Sequence, residues 1–236
     1  MAFAVREREL IDNNELPSRS QVLARYRQLR EISKRHHHEI LKLLPADALL
    51  HQARRLRLAH GKSFLLEHMD ELYYAADLAI YTAPAGRMRV IDRYARSARF
   101  AAGSDEAVVL TAMQGSCFSI LAVERHQEAA GLVATDLVRG TEVWLVDMGL
   151  ESSLEKGVMI ATRLYTADRF SMTAGINVLL DFDLLEDILA ELPRRLREGE
   201  PRSALDDRRF AEATYRVALA DGIMDRIRYQ DLPPDL

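Results

Sequence analysis

The sequence predicts an α+β protein with a helical N-terminal half, a central five-stranded antiparallel barrel-like sheet and a helical C-terminal tail. Three observations predict it. Apolar residues recur at helical spacing before residue 113 and again after residue 178, whereas between 114 and 177 the period shortens to that of strands. The runs in that middle stretch are short and separated by Gly-containing turns, as in hairpins. With 236 residues, 48% hydrophobic and 29% charged, the chain can bury a substantial core, which excludes bulk disorder. Three regions follow: a helical region (1–113), a small β module (114–177) and a C-terminal helical region (178–236) packed on the rest.

Taken in order, residues 1–16 are polar and aperiodic, and read as an arm. A first helix starts near Ser18 or Ser20, whose hydroxyl can cap free amides, and runs to Leu44 before Pro45. Val22, Tyr26, Leu29, Ser33, His36, Ile40 and Leu44 fall on its core-facing stripe. A second helix is capped by Asp47, turns Leu49, Ala53 and Leu56 inward and ends at Gly61. A third spans 63–81 with Leu65, Met69, Leu72, Ala76 and Ile80 inward, and Pro84-Ala85-Gly86 makes the turn after it. A basic amphipathic helix covers 88–99, and a short one follows a cap at Ser104.

The strands are read at 117–124, 131–138, 141–147, 158–165 and 169–173, with residues 151–156 as a polar loop. Such a set must curl or be covered to hide its edges, hence a barrel-like sheet. Beyond it, Asp183 and Glu186 have capping-box spacing for a helix ending near Arg197. Residues 199–201 form a linker, helices cover 203–220 and 223–229, and Pro233-Pro234 lies exposed.

The residues Asp136-Leu137-Val138-Arg139-Gly140-Thr141-Glu142, the spacing to Gly157, and Ile160-Ala161-Thr162-Arg163-Leu164 resemble a small β module of poorly characterised bacterial proteins. Some of those proteins carry the zinc-binding tail motif first described at the SecA C-terminus. The resemblance covers about a quarter of the chain and implies a bacterial binding or accessory module. A single cysteine cannot form that zinc site, so no zinc-dependent role comes with it.

No apolar run approaches the ~20 residues of a membrane span, and the N-terminus turns charged too early for a signal peptide. One cysteine excludes an intramolecular disulfide and suits a cytoplasmic setting. The net charge of −4 is unevenly distributed: residues 1–65 carry 13 Lys and Arg against 7 Asp and Glu, residues 181–236 carry 9 against 14.

Arg27, Arg30, Lys34 and His38 follow a helical strip, and Arg54, Arg55 and Arg57 lie close on the next helix. Merged, they would bind phosphates in a salt-sensitive way, which makes nucleic acid a candidate partner. A protein partner is expected through the β module, with Trp144, Tyr165 and Phe170 as anchors, unless these rings fill the sheet's own core. An alternative is a metal-dependent enzyme using His36, His60, His68 and Glu71, because imidazole and carboxylate groups on adjacent helical turns can converge on a cation. His36 and its neighbours His37 and His38 point in three directions, and a core or solvated role competes for each. Cys117 and His126 could be a thiolate and its base, but they sit at opposite ends of one strand. Asp181, Asp183, Glu186 and Asp187 could hold Mg²⁺, although helix capping accounts for the same residues. Phosphate-binding loops, dinucleotide fingerprints and nucleophile elbows are absent. The expectation is therefore a non-catalytic accessory or adaptor protein without a cofactor.

Overall fold

The computed structural model describes residues 17–68, 71–84 and 86–222. The expected N-terminal arm, Met69, the last helix at 223–229 and Pro233-Pro234 lie outside the described residues. Helix α1 (Arg19–Lys42) opens with a capping box in which the Ser18 hydroxyl accepts from the Gln21 amide and the Gln21 side chain accepts from the Ser18 amide. Its expected stripe is buried from Val22 to Ile40, with Leu29 and Ile40 fully inaccessible. Each such side chain contributes about 1.5–3 kcal/mol through removal from water.

Helix α2 (Ala48–Arg55) follows Asp47, whose side chain makes no cap bond. It ends earlier than expected, because Arg57 adopts a left-handed backbone (φ 65°) and lets the Leu58 amide donate to the Ala53 carbonyl. The expected third helix at 63–81 is corrected at its start. Gly61 (φ 59°) turns a hairpin between β1 (Ala59–His60) and β2 (Ser63–Phe64), so Leu65 is 57% exposed rather than inward. Only α3 (Glu71–Tyr81) remains of it, followed by α4 (Val90–Ser97) and α5 (Asp105–Gln114), the last capped by the Ser104 hydroxyl.

Five strands come next: β3 (Cys117–His126), β4 (Leu132–Asp136), β5 (Thr141–Leu145), β6 (Met159–Thr166) and β7 (Ser171–Leu180). Their pairing runs β3-β4-β5-β7-β6 and returns from β6 to β3. The sheet is mixed, not antiparallel throughout, because β5 and β7 meet side by side in the same direction at Leu145 and Ser171. Between β5 and β6 the polar run read as a loop holds α6 (Met148–Ser153), whose first amides are accepted by the Asp147 carboxylate. Gly131 (φ 82°) leads into β4 where a Cβ would run into the Leu145 carbonyl, so the β4–β5 pair closes only over glycine.

The C-terminal region is more broken than its periodicity suggests. Helix α7 (Phe182–Glu191) is capped by Asp181, not Asp183, and stops before Pro193, which cannot supply a helical amide. Then come α8 (Arg194–Arg197), α9 (Pro201–Asp206) and α10 (Arg208–Asp221), so the expected linker is the capped start of α9, with Glu200 accepting from Arg202 and Ser203. The strands supply alternate side chains to different cores. Leu121, Val123, Leu132, Ala134, Leu145, Ile160 and Leu164 pack with one another. Phe118, Ile120 and Val178 pack with α2, α3, α7 and α10, and Tyr165, Phe170 and Met172 with α1 and α3–α5.

Candidate anion-binding cleft

Three distant segments meet on one buried carboxylate. Arg163 on β6 donates from Nε and Nη2 to the two oxygens of Asp77 on α3, at 2.8 and 2.9 Å, and the Tyr215 hydroxyl on α10 donates to Asp77 at 3.0 Å. Burial opposes the Arg163 charge, but Asp77 outweighs it and holds the guanidinium above its ordinary pKa. The guanidinium carbon also lies 4.8 Å from the centre of the Tyr81 ring and 5.7 Å from that of Phe118. Behind it, the Tyr81 hydroxyl is 2.7 Å from His37 Nε2. Burial, then the Arg30 charge, push the His37 pKa down to about 4.

Arg163 and Tyr81, held by these partners, form the back of a cleft of about 720 Å³. Its lining includes Arg87 and Arg89 from the segment after α3, Arg163, Arg195 from α8, and Arg208 and Arg209 at the start of α10, against Asp206 and Asp207. Half of these arginines are committed: Arg163 to Asp77, Arg89 to Asp92 and the Gln114 carbonyl, Arg209 to Asp207. Asp206 is held by Arg139, which also binds Asp136. Hydrogen bonding to Arg209 keeps the Asp207 carboxyl below its ordinary range. The guanidinium groups of Arg87, Arg195 and Arg208 make no hydrogen bond or ion pair with a described residue, although the Arg195 charge adds to that of Arg209 in holding the Asp207 carboxyl down. At the inner wall, the Arg163 Nη1 makes no hydrogen bond to a described residue, and the buried Ser116 hydroxyl is unpartnered among them. Guanidinium groups in no direct ion pair, beside unspent donors, make a receptor for a negative group.

Of the residues singled out by sequence only Cys117 lines this cleft; the others are placed elsewhere and do not converge. Arg30 turns inward, donates to the Thr173 carbonyl and lies 4.0 Å from Asp147. Lys34 pairs with Glu31, Arg54 donates to the Gly61 carbonyl and Arg55 holds Glu212. Arg57 faces a groove with Asp187, Glu191 and Asp221. Only Arg27, Lys34 and His38 remain exposed along the strip. Trp144 donates to the Ala130 carbonyl at 2.7 Å and packs edge-on to Phe170, 5.8 Å between ring centres, while Tyr165 and Phe170 are buried. These rings pack into the molecule's own core, Trp144 only in part.

His36 is spent on the Tyr94 hydroxyl (3.1 Å) and the Glu106 carbonyl (3.0 Å), and burial lowers its pKa. His60 and His68 are exposed and Glu71 accepts from the Glu67 amide. Among the described residues no three His, Cys, Asp or Glu side chains group to hold a metal, Asp181, Asp183, Glu186 and Asp187 included. Cys117 lies 3.6 Å from the Ser119 hydroxyl at one end of β3, and His126 stands exposed at the other.

The cleft escaped sequence reading because its arginines come from residues 87–89, 163, 195 and 208–209, each of which reads as a solvated charge. The one signal was the pair of doubled arginines, Arg194-Arg195 after Pro193 and Arg208-Arg209 after Asp207, both at helix starts where cations oppose the dipole.

Among the described residues no helix is long and apolar enough to cross a membrane. Comparison with curated proteins and with solved structures gives no match. The model of one family, DUF7986, described as a family of unknown function, matches residues 20–227, and the chain belongs to that family.

Proposed function

We propose that the protein is a binding protein for a phosphate-bearing ligand, which it takes in the arginine cleft. The observation that carries this reading is the convergence of Arg87, Arg195 and Arg208, in no direct ion pair with a described acid, on one concavity whose back wall holds the Arg163 Nη1 and the Ser116 hydroxyl. Guanidinium forks match the oxygens of phosphate, and three of them from separate segments suit a terminal phosphoryl group. Arginine neither gives up nor accepts a proton at neutral pH, so the grouping binds charge and does not carry acid–base turnover. The reading is accordingly non-catalytic and needs no cofactor. A protein or nucleic-acid partner enters it as the carrier of such a group, and the single cysteine favours a cytoplasmic setting.

Calorimetric titration of the full chain with orthophosphate at two salt concentrations tests the proposal. Binding should weaken as salt rises, because the rim cations are exposed to screening. The combined change Arg87→Ala, Arg195→Ala and Arg208→Ala should weaken it by at least about tenfold, since each charge-assisted contact is worth about 1.5–3 kcal/mol before screening discounts it. Absence of binding in the unaltered protein, or equal binding in the triple variant, would overturn the reading.

A further inference from the structure

A second concavity, of about 430 Å³, adjoins the arginine cleft. It is lined by His51, Gln52, Arg55, Thr82, Pro84 and Arg208, and Thr82 and Arg208 line the cleft as well. The two spaces therefore meet at those two side chains. Their chemistry differs. In the annex Arg55 is neutralised by Glu212, to which its Nε donates at 3.1 Å, and it also donates to Gln52 Oε1 at 3.3 Å. Arg208 is close enough to Arg55 for the two charges to repel, which favours Arg208 serving the cleft side, where an anion would relieve it. What the annex offers a ligand is then the Gln52 amide, the His51 ring, the apolar Pro84 ring and the Thr82 hydroxyl as an acceptor, its proton being given to the Leu78 carbonyl at 2.6 Å, with no further free cation.

We propose that the ligand is an organic phosphate monoester. Its phosphoryl group lies among Arg87, Arg195 and Arg208, and its uncharged organic group extends past Thr82 into the annex, against Pro84 and within hydrogen-bonding reach of Gln52 and His51. This rests on the anion-binding reading above and adds to it the side from which selectivity comes. A monoester keeps three phosphoryl oxygens for the three arginines, whereas a diester would give one of them up. A chain of linked phosphates would place its second charge in the annex, where no uncommitted cation receives it.

The test is titration of the full chain with orthophosphate, ribose 5-phosphate and phenyl phosphate. At least one ester should bind about tenfold tighter than orthophosphate, the gain expected for seating an organic group in a partly apolar pocket. His51→Ala and Gln52→Ala should each bring that ester to within about threefold of orthophosphate and leave orthophosphate binding unchanged. His51 is exposed, so its variant remains informative if Gln52→Ala, which loses the contact to Arg55, lowers the melting temperature. Equal binding of the esters and orthophosphate would overturn the monoester proposal and leave the anion reading standing. So would an ester preference that neither annex variant touches. Failure of every anion to bind would remove both, and tighter binding of a single-stranded oligonucleotide than of either ester would replace the small ester with a nucleic acid.

Discussion

Along the outer side of α1, Arg27, Lys34 and His38 form a strip that any reading of helical period finds, whereas Arg87 joins Arg195 and Arg208 from more than a hundred residues away along the chain. The strip is convex and partly self-paired, with Lys34 held by Glu31 at 2.7 Å and Arg30 withdrawn toward β7. The cleft is concave, and the acids nearby are taken by other arginines. The same side-chain type thus has different consequences in the two places. A convex strip leaves each charge in water, where an ion pair is worth little. A concavity focuses several charges on one volume and excludes part of the competing solvent.

The contrast is broken most severely at Asp77. Replacing it by Ala leaves the Arg163 guanidinium buried without its acid, and should cost about 3–5 kcal/mol in chemical denaturation. Arg27→Ala on the strip should stay within about 0.5 kcal/mol. A cost below about 1 kcal/mol for Asp77→Ala would mean that the back wall of the cleft is not built on this pair.

A smaller effect sharpens the boundary between the two regions at His37, on α1 but facing the Tyr81 side of the cleft wall. Its pKa in the folded chain is about 4, below the ordinary 6.5, so the unfolded chain binds the extra proton first. Its share of stability is therefore complete above pH ~6.5 and declines as pH falls toward ~4, by at most about 1 kcal/mol per pH unit. His37→Gln keeps a group for the Tyr81 hydroxyl and should flatten the stability profile between pH 6.5 and 5, where few carboxylates titrate. His36, also lowered by burial, accounts for the slope that remains. An unchanged slope in the variant would place His37 in water with the rest of the strip.

The smallest expected effect is at Arg57, where a non-glycine residue holds a left-handed backbone (φ 65°). Arg57→Gly removes that strain along with one exposed cation, and should leave the stability in chemical denaturation unchanged or raise it slightly, by up to about 1 kcal/mol. A clear drop would show that the Arg57 side chain is held by the acids of the groove it faces, rather than idle like its neighbours on the strip.

What the sequence made legible was local. The stripe and cap of α1 follow from the spacing of residues within one helix, and the five strands from short β-branched runs between turns. The parallel meeting of β5 and β7 was not legible, because it joins chain segments separated by α6 and all of β6, and no pattern inside either strand records it. The β1–β2 hairpin was hidden because Leu65 and Leu66 extend the apolar period of α3 backward toward Ser63 and Phe64, which form β2. Helix α6 was hidden because its cap, Asp147, sits at the end of an apolar strand run. The cleft is the extreme case, since each of its arginines has an ordinary local setting and only the tertiary fold brings the unpaired ones together.

The ion pair of Asp77 and Arg163, with the Tyr215 hydroxyl as third member, also sets an order of events during synthesis. A nascent chain can complete α3 and β6 while α10 is still inside the ribosome. At that stage Asp77 and Arg163 can already meet, but the sheet face that carries Phe118 and Ile120 is covered only in part, by α2 and α3, because Phe210, Ala211 and Tyr215 have yet to emerge. An apolar sheet face waiting for its final helix is a site for a chaperone or for misassembly. A chain cut before Arg208 would stay in that waiting state, so α10 decides whether the segments translated before it remain folded.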